Sequence, residues 1–171
     1  MANYKYLRGA SISDPTRKVN DIPDTPTSLT ATDIGTSRAY NNGAATVAIT
    51  GNAATGGPVT GYTVTSTPGS FTGTGASPIT VTGLQSATSY TFTAVATNTT
   101  GSSPATSATS AITATTVPQA PTIGTPTVAT GQSYTGNANV SVAFTPGATG
   151  GKSVSTYTVT SSSGNTATGS S

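Results

Sequence analysis

Apolar and polar positions alternate along this chain in short runs. Val47/Ile49, Tyr62/Val64 and Tyr90/Phe92/Ala94 stand two residues apart, with alanine or threonine between them. That is the period of a strand with one dry face and one wet one. The pattern predicts strands near Ser28–Thr32, Ala44–Thr50, Gly61–Ser66, Ile79–Thr82, Ser89–Asn98 and Ser110–Thr115, with a shorter one around Ser70–Thr72. Asn41-Asn42-Gly43, Gly56-Gly57-Pro58, Pro68-Gly69 and Thr100-Gly101 separate them. Asparagine and glycine accept the left-handed backbone that tight turns need, and proline presets its own φ. About seven short antiparallel strands joined by such turns predict an all-β sandwich.

The pattern is written twice. Gly61-Tyr62-Thr63-Val64-Thr65-Ser66 returns as Thr156-Tyr157-Thr158-Val159-Thr160-Ser161, 95 positions later. At the same offset Pro26 falls on Pro121, Val47 on Val142, Ile49 on Phe144, Thr50 on Thr145 and Gly56 on Gly151. A unit of roughly 100 residues is the size of one sandwich, so the period predicts a tandem array. Three parts result: an N-terminal arm (1–22), a first unit (23–117) and the front half of a second (118–171). Half a sandwich leaves strand edges unpaired and its core open. The expectation is therefore a parent protein that continues past Ser171, rather than a second chain that supplies the missing strands. Ile22-Pro23-Asp24-Thr25-Pro26 leads stiffly into the first unit, and Val117-Pro118-Gln119-Ala120-Pro121 repeats that lead-in as an interdomain hinge. Its shortness predicts units held in line.

Composition narrows the function. Hydrophobic residues make up 33% and charged residues 6%, with Gly 20 and Pro 11, which suits short strands and turns better than helices or a highly charged disordered chain. Cysteine and histidine are both absent, so no disulfide staples the fold and the commonest general base is missing. With no glutamate either, the usual catalytic pairs cannot be assembled, and a serine or threonine by itself is a poor nucleophile. All four acids (Asp14, Asp21, Asp24, Asp33) and five of the six bases precede residue 39; Lys152 is the one later charge. A neutral β body lacks the basic stripe that binding nucleic acid requires. No stretch approaches the ~20 apolar residues of a membrane span, and no apolar run follows the early bases as an export signal would.

The charged head is the candidate contact segment. Tyr4-Lys5-Tyr6-Leu7-Arg8 alternates like a short strand and is followed by Gly9, Asp14-Pro15 and Arg17-Lys18. The expectation is a docking arm that adds a strand to a partner or lies in its groove. Tyr4, Tyr6 and Leu7 would anchor it, and Lys5, Arg8, Arg17 and Lys18 supply its charge. Other motifs fail on chemistry. Gly147-Ala148-Thr149-Gly150-Gly151-Lys152-Ser153 looks like a phosphate-binding loop, but Pro146 stands where that loop needs glycine, and a strand over Val154–Ser161 comes next instead of a helix. Asp14, Asp21 and Asp24 lack calcium-loop spacing. No metal or cofactor is expected. Asn98-Thr99-Thr100 and Asn139-Val140-Ser141 match the glycosylation sequon, without an export signal to give them use.

Two stretches resemble a known family. The run from Gly83-Leu84-Gln85 through Tyr90-Thr91-Phe92-Thr93-Ala94 to Thr100-Gly101 looks like the back half of a fibronectin type III module, and Pro58-Val59-Thr60-Gly61-Tyr62-Thr63-Val64 resembles its third strand. The resemblance covers 23–117 well and 118–161 in part. It implies a tyrosine corner made by Leu84 and Tyr90, the phenol bonded to upstream backbone. The second-strand Trp common in that family is replaced by Ile49 and Phe144, and Arg8-Gly9 is followed by Ala10, so no integrin-type Arg-Gly-Asp turn forms. Such modules recur on bacteriophage tail and head proteins. The resemblance thus implies a non-enzymatic virion protein at the particle surface, its arm on capsid, tail or collar proteins, multiplied by particle symmetry and able to touch a host-surface glycan. The alternative is an extracellular spacer or carbohydrate-binding region of a secreted bacterial glycanase or adhesin.

Overall fold

The computed structural model describes residues 22–51, 58–129 and 139–170. Among them no helix forms; the chain is all-β and antiparallel, as its alternation predicts. The first unit holds β1 (Ser28–Asp33), β2 (Gly43–Thr50), β3 (Gly61–Thr67), β4 (Thr72–Gly75), β5 (Ile79–Leu84), β6 (Ser89–Thr97) and β7 (Ile112–Thr113). They form a three-stranded sheet in the order β1-β2-β5 and a four-stranded sheet in the order β4-β3-β6-β7. In a constant-type immunoglobulin domain the fourth strand joins the first sheet; here β4 pairs with β3 instead, with Thr65 opposite Thr72. The result is an immunoglobulin-like sandwich with the strand grouping of a fibronectin type III module.

The two inner faces close on each other. Val47 and Val64 are wholly buried, as are Val81, Leu84 and Phe92, while Phe71, Leu29 and Ile112 pack at the margin. Tyr90 stands with its ring edge-on to Phe71, centroids 6.1 Å apart. Threonine takes most wet positions, since its branched side chain suits the pleat and its hydroxyl stays in water.

Two strands fall away from their expected places. The short strand expected around Ser70–Thr72 begins only at Thr72, because Pro68-Gly69-Ser70 form the turn; Gly69 and Ser70 have φ of 82° and 49°, outside any strand. The last strand, expected over Ser110–Thr115, pairs as a ladder only at Ile112–Thr113. Before it runs an unpredicted strap. The N–H groups of Ser103, Thr106 and Thr109 donate to the carbonyls of Ala96, Ala94 and Phe92 at 2.8–2.9 Å. Each hydroxyl then accepts the N–H of the same β6 residue, at 3.0 Å for Ser103 and Thr106 and 3.1 Å for Thr109. Three strap residues thus span two strand residues, a bulge repeated along the edge, with hydroxyls standing in for the carbonyls that a bulged chain cannot present.

The second unit repeats this plan with shorter pieces: β8 (Thr122–Ile123), β9 (Thr127–Val128), β10 (Val140–Ser141), β11 (Phe144–Thr145), β12 (Tyr157–Thr160) and β13 (Thr166–Gly169). Pro126 stands where the first unit has Ala31 in mid-strand. It has no N–H to give the ladder, so what was β1 splits into β8 and β9. The pairing also slips by one residue: the repeat offset places Phe144 opposite Gly124, whereas Phe144 lies opposite Ile123. Ile123, Val128 and Val140 are 61%, 64% and 53% exposed.

Candidate functional site

The docking arm, with Tyr4, Lys5, Tyr6, Leu7, Arg8, Arg17 and Lys18, lies outside the described residues. The lead-in to the first unit is firmly seated. Pro23 and Pro26 are buried, and the Thr25 hydroxyl donates to the Pro104 carbonyl of the strap at 3.4 Å. The matching prolines of the second unit, Pro118 and Pro121, are exposed.

Leu84 ends β5 and Tyr90 is the second residue of β6, both with essentially no exposure. Between them the chain reverses through Gln85–Thr88, and the Gln85 N–H donates to the Tyr90 hydroxyl at 2.9 Å. A phenol brought this deep needs a partner, and the turn backbone supplies it. Ala87 takes φ of 58° at the tip of this turn, and its N–H donates to the Ala114 carbonyl at 2.9 Å.

The Gly147–Ser153 segment is a turn, and it meets the first unit. Thr116 N–H donates to Gly150 O at 2.8 Å, and Gln119 N–H to Ala148 O at 2.9 Å. On the other side of the linker, Val117 N–H donates to Arg38 O at 2.9 Å. Gly150 and Gly151 hold φ of 72° and 91°. β12 begins at Tyr157 rather than Val154; Val154 to Thr156 instead line a cavity of about 290 Å³ between the units, together with Thr36, Thr116, Thr149 and Lys152. Most of its lining residues are serine or threonine, with one exposed lysine ammonium as the charge. No helix start faces it, so the amide cradle of a phosphate loop is not built there.

Of the acids, Asp14 and Asp21 lie outside the described residues. Asp33 works as a structural clasp: its carboxylate accepts the N–H of Gly35 and of Thr115, each at 3.2 Å, and the Thr115 hydroxyl as well. It thereby ties the end of β1 to the chain after β7. No group of three or more His, Cys, Asp or Glu among the described residues could hold a metal ion. Asn98 of the first sequon is 8% exposed, and its Oδ1 accepts the N–H of Thr100 and of Gly101 at 2.8 and 3.1 Å, so it shapes a turn. Asn139 is exposed. Among the described residues no helix is long and apolar enough to cross a membrane.

Sequence reasoning missed the strap and the aspartate clasp. The strap had a signal, hydroxyl residues at every third position in Ser103, Thr106 and Thr109. The clasp had none, because its partners are 82 residues apart.

No protein-family model matches the sequence, and no curated protein does. Solved structures that it is similar to include one titled "Titin kinase and its flanking domains", at 25% identity over 54% of this chain and 17% of that one, TM-score 0.44. Another is "Crystal structure of domains A168-A170 from titin", at 24% identity over 56% and 33%, TM-score 0.45. This chain thus spans a third or less of those chains, and the fold assignment rests on its own strand order.

Proposed function

We propose that this chain is a non-enzymatic structural protein of a bacteriophage particle, fibre-associated, tail-associated or head-decorating. Residues 1–22 dock on capsid, tail or collar proteins, and the β-units project outward as a spacer or host-surface contact. The observation that carries the spacer role is the bonded passage between units: linker residues Thr116, Val117 and Gln119 donate to backbone on both sides. A tether would leave those N–H groups to water. The alternating Tyr4–Arg8 run supports the docking role. The solvent face of the four-stranded sheet, with Thr63, Thr65, Thr72, Thr74, Thr91 and Thr93 and no charge, supports weak contact with a neutral glycan. Repetition on a symmetric particle would multiply such contacts into useful avidity.

Electron microscopy of purified particles tests the reading. Copies at symmetric positions, seated through residues 1–22 and lost when those residues are deleted, are the expected result. Absence from particles, or assembly that survives the deletion, overturns it and favours the secreted spacer module.

A further inference from the structure

We infer that the lower rim of the first unit is a docking surface for the glycine loop of the second, and that this contact sets the angle between the units. Proline fixes its own φ and biases the residue before it toward extended geometry, but its own ψ stays open, so Pro118 and Pro121 alone do not set a direction. The rim supplies what they lack. It presents the carbonyls of Ala114, Thr116 and Val117 beside the Ala87 turn, and the Gly147–Gly151 loop lies directly on them.

The fit is specific for glycine. A β-carbon on Gly150 would stand 2.5 Å from Thr116 O and 2.7 Å from Val117 O, and one on Gly151 would stand 2.9 Å from Ala114 O and 3.1 Å from Ala87 N. Real side chains do not approach carbonyl oxygens so closely, and backbone cannot swing aside as a flexible side chain would. Both glycines also hold left-handed φ, which L-residues adopt at a cost. Gly150 is buried in this contact although the rest of the second unit is largely open. At the repeat offset the first unit carries Thr55 in place of Gly150. The two loops are therefore not interchangeable, and the joint belongs to this particular pair. This inference is independent of the particle assignment: it concerns how two units meet, wherever the protein resides.

The test is a pair of spin labels on the full chain, at cysteines introduced by Thr72→Cys on β4 and Thr166→Cys on β13. Both sites are exposed and the chain has no other cysteine. Unsubstituted elsewhere, the protein should give one narrow distance distribution. Gly150→Ala with Gly151→Ala should abolish that peak, whereas Gly164→Ala, also at positive φ but facing open space, should keep it. A second pair within the second unit, Thr145→Cys with Thr166→Cys, should be unchanged in the double variant. Loss of both distances would make the glycines part of the second unit's own fold and overturn the inference. So would a broad distribution before substitution, or a narrow one that survives it.

Discussion

Ser66 and Phe71 hold each other by two hydrogen bonds. The Ser66 N–H donates to the Phe71 carbonyl at 2.9 Å, and the Phe71 N–H donates to Ser66 Oγ at 3.0 Å. The same hydroxyl donates to Pro68 O at 3.0 Å, closing the β3–β4 turn from inside. Ser161, the last residue of the repeated phrase, does likewise with Asn165, at 2.8 and 3.0 Å. The two serines differ in burial: Ser66 is 1% exposed, and Ser161 is open to water. Ser66→Ala should therefore cost about 1–3 kcal/mol by leaving the part-buried Phe71 N–H without its partner beside a buried site. Ser161→Ala should stay within about 0.5 kcal/mol, because water replaces the hydroxyl. Denaturant unfolding of the two variants compares them directly; equal costs would show that burial is not what matters.

Removal of the Tyr90 hydroxyl tests the corner. Tyr90→Phe keeps the ring against Phe71 and Phe92 but strands the Gln85 N–H. The expected loss is about 1–3 kcal/mol in unfolding free energy, with faster amide exchange at Gln85. An unchanged melting temperature would mean that water already serves that N–H.

The strap makes a different demand. Thr106→Val conserves shape but removes the acceptor for the Ala94 N–H, in the middle of the β6 edge. A cost of about 1–3 kcal/mol is expected from the orphaned donor. An edge so opened is a template for another strand, so concentration-dependent association should accompany the loss. Light scattering of the variant beside the parent protein measures it.

Ala87 should tolerate, and benefit from, glycine. A left-handed φ on alanine costs about 1–2 kcal/mol, and the entropy that glycine loses on folding is about 0.5–1 kcal/mol, which leaves a gain of roughly 0.5–1 kcal/mol. Ala87 is exposed, so its methyl contributes little packing. A melting temperature below that of the parent would show that the methyl is used, with the joint as the place to look.

The core strands were legible because their alternation is local. Val47/Ile49 and Tyr90/Phe92/Ala94 name their own buried face, and the structure buries those side chains in the first unit. The second unit was less legible, although its sequence repeats the first. Pro126 in place of Ala31 interrupts a ladder in a way that the alignment of apolar positions does not register, and it carries a slip of pairing with it.

By itself the sequence determined the all-β class, the 95-residue period and the strand positions of the first unit to within a few residues. Each is a matter of neighbours or of a repeated interval, which a linear pattern can carry. Tertiary structure alone decided that Asp33 reaches Thr115, that three hydroxyls cap the edge of β6, and that Gly150 and Gly151 seat against the first unit. Those contacts join residues far apart in the chain or polar groups of common type. Their geometry exists only once the sheets have closed, and of the three only the strap leaves a mark in the residues, the hydroxyls at every third position from Ser103 to Thr109.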